Sequence, residues 1–332
     1  MTISAARPSD QEADDLPSPP HETAAPGSQL ERLLALAVEP DPVRTAVVHP
    51  VDELSLSGAV EAAAAHLIVP VLVGPQARIR KAAEGAGLDI SDFEVVDAPH
   101  SHAAAARACE LARDGQVSAI MKGALHTDEL LEAAVSAACG LRTDRRMSHV
   151  FILDVPTYPK PLLVSDAAIN IAPDLATKAD IVQNAIDCAR AMKVDRPKVA
   201  ILAAVETVNP KMAATLDAAA LCKMADRRQI VGGVLDGPLA FDNAISKEAA
   251  QTKHIVSEVA GDADILIVPD IESGNMLAKQ LFYLARAQSA GIVMGAKVPI
   301  MLTSRSDGVL SRLASCAVAL LVAQAERSKP AK

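Results

Sequence analysis

TAVVH (45–49), IVPVLVG (68–74), FEVVDA (93–98) and SAIMKG (118–123) are four short β-branched runs, and what separates them decides the fold. Between successive runs lie Ala/Leu/Glu-rich segments of about ten to fifteen residues, the length of a helix rather than of a hairpin turn. Parallel neighbours need such a crossover, so the pattern predicts βαβ units and a mainly parallel sheet. Ser101 is placed to cap a helix over 102–113, and Thr127 to cap one that opens with Asp128 and Glu129.

A second series follows: HVFILDV (149–155), PLLVSDA (161–167), a helical stretch, KVAILAAV (198–205), a second helical stretch, IVGGVLD (230–236), ADILIVPD (263–270), then a helix from Asn275. The prolines of VPTYPKP (155–161) interrupt the alternation and mark a boundary. The expectation is two α/β domains with mainly parallel sheets. Domain I is discontinuous, 28–157 plus 294–328, because the strand PIMLTS (299–304) and the helix after Asp307 need a sheet to join; domain II is 158–293. A cleft between two such lobes is the natural ligand site. Residues 1–27, rich in Pro, Ser and acidic residues, read as a disordered tail.

Composition narrows the function. Half of the 332 residues are apolar, yet there is no Trp, with two Tyr and four Phe, so the core is built from Ala, Val, Leu and Ile. The net charge of −9 argues against a nucleic-acid partner, which calls for a basic stripe. The five cysteines (109, 139, 188, 222, 316) form no C-x-x-C pair and read as reduced thiols in a cytoplasmic protein. No apolar run reaches the roughly 20 residues of a membrane span, and no secretory leader is visible. Neither G-x-G-x-x-G nor G-x-x-x-x-G-K-[ST] occurs. His100 and His102 have the spacing of a metal pair but lack Cys or carboxylate partners, so no metal site is expected.

Four strand ends carry chemistry. In VPIMLTSRSD (298–307) an apolar strand emerges into Ser304, Arg305 and Asp307. A guanidinium fork suits phosphate, a hydroxyl can donate to a developing oxyanion, and Asp307 is either a functional carboxylate or the cap of the next helix. In IVPDIESGN (267–275) Asp270 ends a strand, Ser273 and Gly274 give a tight turn, and Asn275 opens a helix whose N-terminus can hold an anion. Asp236 and Asp242 lie in VLDGPLAFDN (234–243), where they bind a metal, cap, or pair with a cation. Lys122 ends SAIMKG, and Arg145–Arg146 precede HVFILDV.

Taken together, SDAAINIAPD (165–174), LDGPLAFDNAIS (235–246), VPDIESGNMLAKQL (268–281) and VPIMLTSRSD resemble the phosphate acetyl/butyryltransferase family in order and spacing, from about residue 30 to the C-terminus. The resemblance implies an isocitrate/isopropylmalate dehydrogenase-like fold, an interdomain active site and a homodimer. It also implies acyl transfer between coenzyme A and inorganic phosphate, acyl-CoA plus phosphate giving acyl phosphate plus CoA, with no tightly bound cofactor and a place in acetate metabolism. The family's Ser-Arg pair falls on Ser304 and Arg305. Where acetyl-specific members carry a catalytic aspartate further along, this chain has Ser311, which leaves Asp307 as the substitute base. The Ser-Arg-Ser-Asp version looks like the phosphotransbutyrylases and the transacetylases found fused to hydratase-like domains. Lys122, Arg146, Asp236, Asp270, Ser273, Gly274 and Asn275 are then candidates for phosphate and CoA binding. Two further readings stand beside acetyl transfer and its butyryl variant: a non-catalytic acyl-CoA sensor, and a metal- and NAD-dependent dehydrogenase of the same broad fold using Asp236 and Asp270.

Overall fold

The computed structural model describes residues 27–137, 139–302 and 308–328. The first part of the chain forms α1 (Ser28–Leu36), β1 (Val43–Val48), α2 (Glu53–Ala64), β2 (Ile68–Gly74), α3 (Gln76–Ala86), β3 (Glu94–Asp97), α4 (Ser101–Arg113), β4 (Ala119–Lys122), α5 (Thr127–Val135) and β5 (Ser148–Asp154). Then come β6 (Leu162–Ser165), α6 (Leu175–Ala191), β7 (Lys198–Leu202), α7 (Ala213–Asp226), β8 (Val234–Leu239) and the short α8 (Phe241–Ile245) and α9 (Lys247–Thr252). The chain finishes with β9 (Ile265–Ile267), α10 (Ile271–Tyr283), β10 (Gln288–Met294), β11 (Ile300–Met301) and α11 (Val309–Arg327).

All eleven strands join one sheet in the order β3-β2-β1-β4-β11-β10-β5-β6-β9-β7-β8. Two blocks within it are parallel, β3-β2-β1-β4-β11 and β6-β9-β7-β8. Three antiparallel junctions separate them: β11 with β10, β10 with β5, and β5 with β6. An odd number of reversals makes the blocks run in opposite directions. The carboxyl ends of β1, β4 and β11 therefore emerge at one edge of the sheet, and those of β6, β7 and β9 at the other.

The two faces differ. On one, a single core runs through both blocks, from Val47, Leu56 and Met121 through Val150 and Ile292 to Ile201 and Ile265, under α2, α6 and α11. On the other, the apolar residues divide. One cluster lies under α4 and α5 (Val48, Ala105, Ile120, Val293), another under α8 to α10 (Val164, Leu239, Leu266, Leu277). α11 is long and apolar enough to cross a membrane, but 67% of the qualifying stretch is buried inside the protein, so its apolarity belongs to the core.

Several sequence expectations are corrected. His100, not Ser101, caps α4: its Nδ1 accepts from Ala103 N at 3.2 Å, as a carboxylate would. Thr127 is the first helical residue of α5 rather than its cap, and Asp128 and Glu129 complement the free N–H groups of the first turn. β8 starts at Val234 rather than at Ile230 because Gly232, at φ 91, lies in the left-handed region that no strand residue adopts. Its Pro238 is tolerated because β8 is an edge strand. α10 begins at Ile271, so Ser273 and Gly274 are helical, not a tight turn, and Asn275 lies inside the helix instead of opening it. β10 was not anticipated. Gly27 is the described end of the expected N-terminal tail; residues 1–26 lie outside the described residues.

Candidate active site

The junction between the two clusters of the divided face lies over β11, β10 and β5, which makes it the natural floor of a cleft. Lys122, half-buried, ends β4 on the side of Ile120. Gly123 follows because a Cβ there would collide with the Val48 carbonyl as the chain turns over β1. Leu302 is one residue past β11, and Gly308 is the N-cap of α11. Ser304, Arg305 and Asp307 lie between them and outside the described residues. What surrounds their position is described: β4 and β10 flank β11, and Arg312 in the first turns of α11 is buried and donates to Glu61 of α2 at 2.9 Å.

His149 and Phe151 project from β5 toward this junction. Their rings meet edge to face at 4.4 Å, and Phe151 meets Phe282 of α10 at 5.5 Å. Burial pushes the His149 imidazole down to about 4, so it is neutral near pH 7. A glycine faces it: a Cβ at Gly291 would stand 2.9 Å from His149 Nε2. Sequence reading passed over this histidine, since a His inside an apolar strand carries no local signal.

The opposite edge holds most of the other candidates. Asp270 is the N-cap of α10: its Oδ1 accepts from Ser273 N at 2.8 Å and Ser273 Oγ at 2.7 Å, and the Ser273 N–H bond holds its carboxyl below the usual range. Gly274 is pressed on the turn after β6, where a Cβ would lie 3.1 Å from Ala167 Cα, and Asn275 Nδ2 donates to Ala167 O at 3.3 Å. That turn is organised by Asp166, which sequence reading did not single out. Asp166 Oδ1 accepts from the N–H groups of His149, Ala168 and Ile169, and Oδ2 from Asn170 N and Nδ2. The signal was there: an Asp at a strand end, small residues, and an Asn four positions on, the pattern of a carboxylate saturated by its own loop.

Arg146 is at this same edge. Its backbone N–H donates to Asp180, and its side chain lines a cavity of about 420 Å³ with Arg142, Thr143, Asp144 and Arg145. Through the strand register Met121 of β4 and Ile267 of β9 both stand level with Val150 of β5, so Lys122 and Asp270 are offset by about four residues, roughly 13 Å, along the strands, with five strand spacings between β4 and β9 across them. Asp236 is further still, on the edge strand β8, with Oδ1 accepting from Gly237 N at 2.8 Å. The structure thus gathers Asp270, Ser273, Gly274 and Asn275 into one capped turn, and separates them from Lys122 and from Asp236. Asp236 on β8 and Asp270, three residues past β9, are separated by β7, roughly 10 Å across the sheet, too far to share one ion. Among the described residues no group of three or more His, Cys, Asp or Glu is arranged to hold a metal. His102 pairs with Glu129 at 3.4 Å.

The described cysteines are buried or half-buried, and burial pushes the thiols of Cys188, Cys222 and Cys316 up to about 12. Burial therefore favours the protonated thiol at these positions near neutral pH.

Residues 101–320 match the model of the phosphate acetyl/butaryl transferase family. The chain belongs to that family. It is 58% identical over 301 residues to a phosphate acetyltransferase of Rhizobium meliloti, covering 91% of this chain and 95% of that one. To a phosphate butyryltransferase of Clostridium acetobutylicum it is 44% identical, over 76% of this chain and 84% of the other. The crystal structure of a branched-chain phosphotransacylase from Enterococcus faecalis superposes with a TM-score of 0.74 at 30% identity, covering 85% of this chain and 99% of that one. A 4-hydroxythreonine-4-phosphate dehydrogenase from Klebsiella pneumoniae shares the fold alone, with a TM-score of 0.54 at 16% identity over 85% of this chain and all of that one (100%). The mixed α/β fold and the family are thus those the sequence led one to expect.

Proposed function

We propose that this family member is a phosphate acetyltransferase that converts acetyl-CoA and inorganic phosphate into acetyl phosphate and CoA. The observation that carries the reading is 58% identity along nearly the whole length of a phosphate acetyltransferase, beside the Ser-Arg pair at 304–305. In the reverse direction Asp307 accepts the CoA thiol proton, the thiolate attacks the acyl carbonyl of acetyl phosphate, and phosphate leaves. A free thiol titrates near 8.5, so a carboxylate base helps at pH 7. Ser304 stabilises the oxyanion and Arg305 holds the phosphate, with Lys122, at the end of the neighbouring β4, adding positive charge. High thiol pKa values favour direct transfer in a ternary complex over a cysteine-bound acyl intermediate.

On this reading Arg146, Asp236, Asp270, Ser273, Gly274 and Asn275 shape the lobes rather than touch phosphate: Asp236, Asp270, Ser273 and Asn275 bond within their own turns or to neighbouring backbone, Gly274 is pressed on Ala167, and Arg146 lies at the edge away from Lys122. The domain division at 157/158 and 293/294, a cytoplasmic location, the absence of a tightly bound cofactor and a homodimer belong to the same proposal. Tyr283 and Leu284, 81% and 82% exposed at the end of α10, together with Met276, offer apolar surface for a second copy. CoA release from acetyl-CoA, followed with and without phosphate, tests the function. Release that needs phosphate supports it; release indifferent to phosphate, or requiring NAD and a divalent metal, overturns it. The Ser-Arg-Ser-Asp sequence keeps a butyryl preference as the second reading, decided by comparing acetyl-, propionyl- and butyryl-CoA rates.

A further inference from the structure

Two of the five thiols touch each other. Cys109, in the third turn of α4, and Cys139, in the turn after α5, belong to one apolar cluster. Their side chains are in hydrogen-bond contact, the Cys109 S–H donating to the Cys139 sulfur. The backbone around them confirms the approach. Arg113 stands one turn along α4 from Cys109, and a Cβ at Gly140 would lie 3.0 Å from its Cδ, so α4 and the 139–140 turn are pressed together at two consecutive residues. Among the described residues no other cysteine has a thiol for a neighbour. Cys188 and Cys316 are fully buried elsewhere, and Cys222 donates to Gly237 O at 3.7 Å.

The two thiols are not equivalent. Cys109 is 0% exposed, whereas Cys139 is 7% exposed. Burial pushes both up. At Cys139 the bond from Cys109 and the Arg113 guanidinium work against that rise, while at Cys109 the contact with Cys139 adds to it. The thiolate therefore forms first at Cys139, on the side a reagent reaches, with Cys109 behind it as the second thiol. Cys139 also sits where the backbone can give. Its N–H donates to Ser136 O at 3.1 Å, and the next residue is Gly140 at φ 73. Such a turn can supply the roughly 2 Å by which two touching sulfurs must close to form a bond of about 2 Å.

We infer that Cys109 and Cys139 are a modification site, at which a low-molecular-weight disulfide such as oxidised glutathione makes a reversible internal disulfide. The Cys139 thiolate attacks one sulfur of the small disulfide, forming a mixed disulfide and releasing one small thiol. Cys109 then gives its proton to solvent, and its sulfur attacks the Cys139 sulfur and expels the second small thiol. The two cysteines lose two electrons and two protons, and the small disulfide gains both and leaves as two thiols. The bond closes the chain from 109 to 139 into a covalent loop holding β4 and α5. In a reducing compartment it is a transient state, made when small disulfides accumulate and undone by small thiols. None of this depends on which acyl group the protein transfers.

The test incubates the full-length chain with oxidised glutathione at about pH 8, where more thiolate is present. Thiols are then counted after unfolding without reductant, beside intact mass and a peptide map. Two of the five thiols should be lost together with the mass of two hydrogens, leaving three, and one linked peptide pair should carry 109 and 139. Dithiothreitol should restore all five. Cys139→Ala should form no internal link and keep Cys109 reduced. Cys109→Ala should retain glutathione on Cys139, because no second thiol is there to expel it. In urea the links should scatter among the cysteines. Three outcomes overturn the inference: Cys109 and Cys139 both still reduced, glutathione left on Cys139 while Cys109 is present, or a share of the 109–139 link no higher in the folded chain than in urea.

Discussion

A hydroxyl aimed at a developing negative charge contributes far more in the transition state than in the ground state, so its loss appears in turnover rather than in binding. Ser304→Ala should therefore lower kcat about a hundredfold or more with the acetyl-CoA KM nearly unchanged and thermal unfolding unaltered. Arg305→Gln should raise the phosphate KM, and an unchanged phosphate affinity in that variant would remove Arg305 from the site. His149 makes a different kind of statement. Its imidazole is pushed from 6.5 down to about 4 by burial, so between those values the unfolded chain binds a proton that the folded one refuses. Its contribution to stability is complete above pH 6.5 and is lost as pH falls toward 4, an effect of about 3 kcal/mol. Denaturant titrations from pH 7.5 to 4 should show that decline. His149→Gln, which cannot titrate, should show a shallower one from a lower starting stability; an equally steep decline in the variant would place the titration elsewhere.

Among elements, α10 separates structural from catalytic capping. Asp270→Ala removes the acceptor for Ser273 N and should cost about 1 kcal/mol of stability, while kcat and both KM values of the folded enzyme stay within about twofold. Turnover abolished in a folded Asp270→Ala protein would extend the site to the far edge of the sheet. This prediction runs against the sequence reading, and the reason is one strand. IVPVLVG appears residue for residue as β2; β4 and β6 lie within the runs that announced them, and β1 and β5 overlap theirs but start earlier, at Val43 and Ser148, because strands buried on both faces are continuous in Val, Ile and Leu. QSAGIVM does not announce itself: its first half, Gln-Ser-Ala-Gly, has no β-branched residue, and the fit against His149 requires the glycine. Without β10 the number of reversals between the blocks cannot be counted. All carboxyl ends then fall by default at one edge, which is how Asp270 came to be grouped with Ser304. The capped turns at Asp52, Asp174 and Asp270 were partly visible, being carboxylates three residues before a small polar residue. The bond by which Asp154 Oδ2 accepts from Leu30 N of α1 at 3.3 Å was not, since 124 residues separate the two.

At the scale of the molecule, the asymmetry of the two faces sets how the halves move and unfold. The divided face leaves room for a cleft, while the continuous core on the other face, with α11 through its centre, ties both parallel blocks together. α11 contributes Ala314, Cys316, Ala317, Val318, Ala319, Leu320 and Leu321 to that core, and α6 packs against it from the second block. A cavity opened there is felt on both sides. Leu320, fully buried, is the side chain to remove: Leu320→Ala should destabilise the protein by about 2–5 kcal/mol. Because the core is shared, amides of β1 in one block and β7 in the other should lose exchange protection by the same factor. Loss confined to β1 and its neighbours, with β7 still protected as in the unmodified chain, would mean that the blocks open independently and that the continuous core does not couple them.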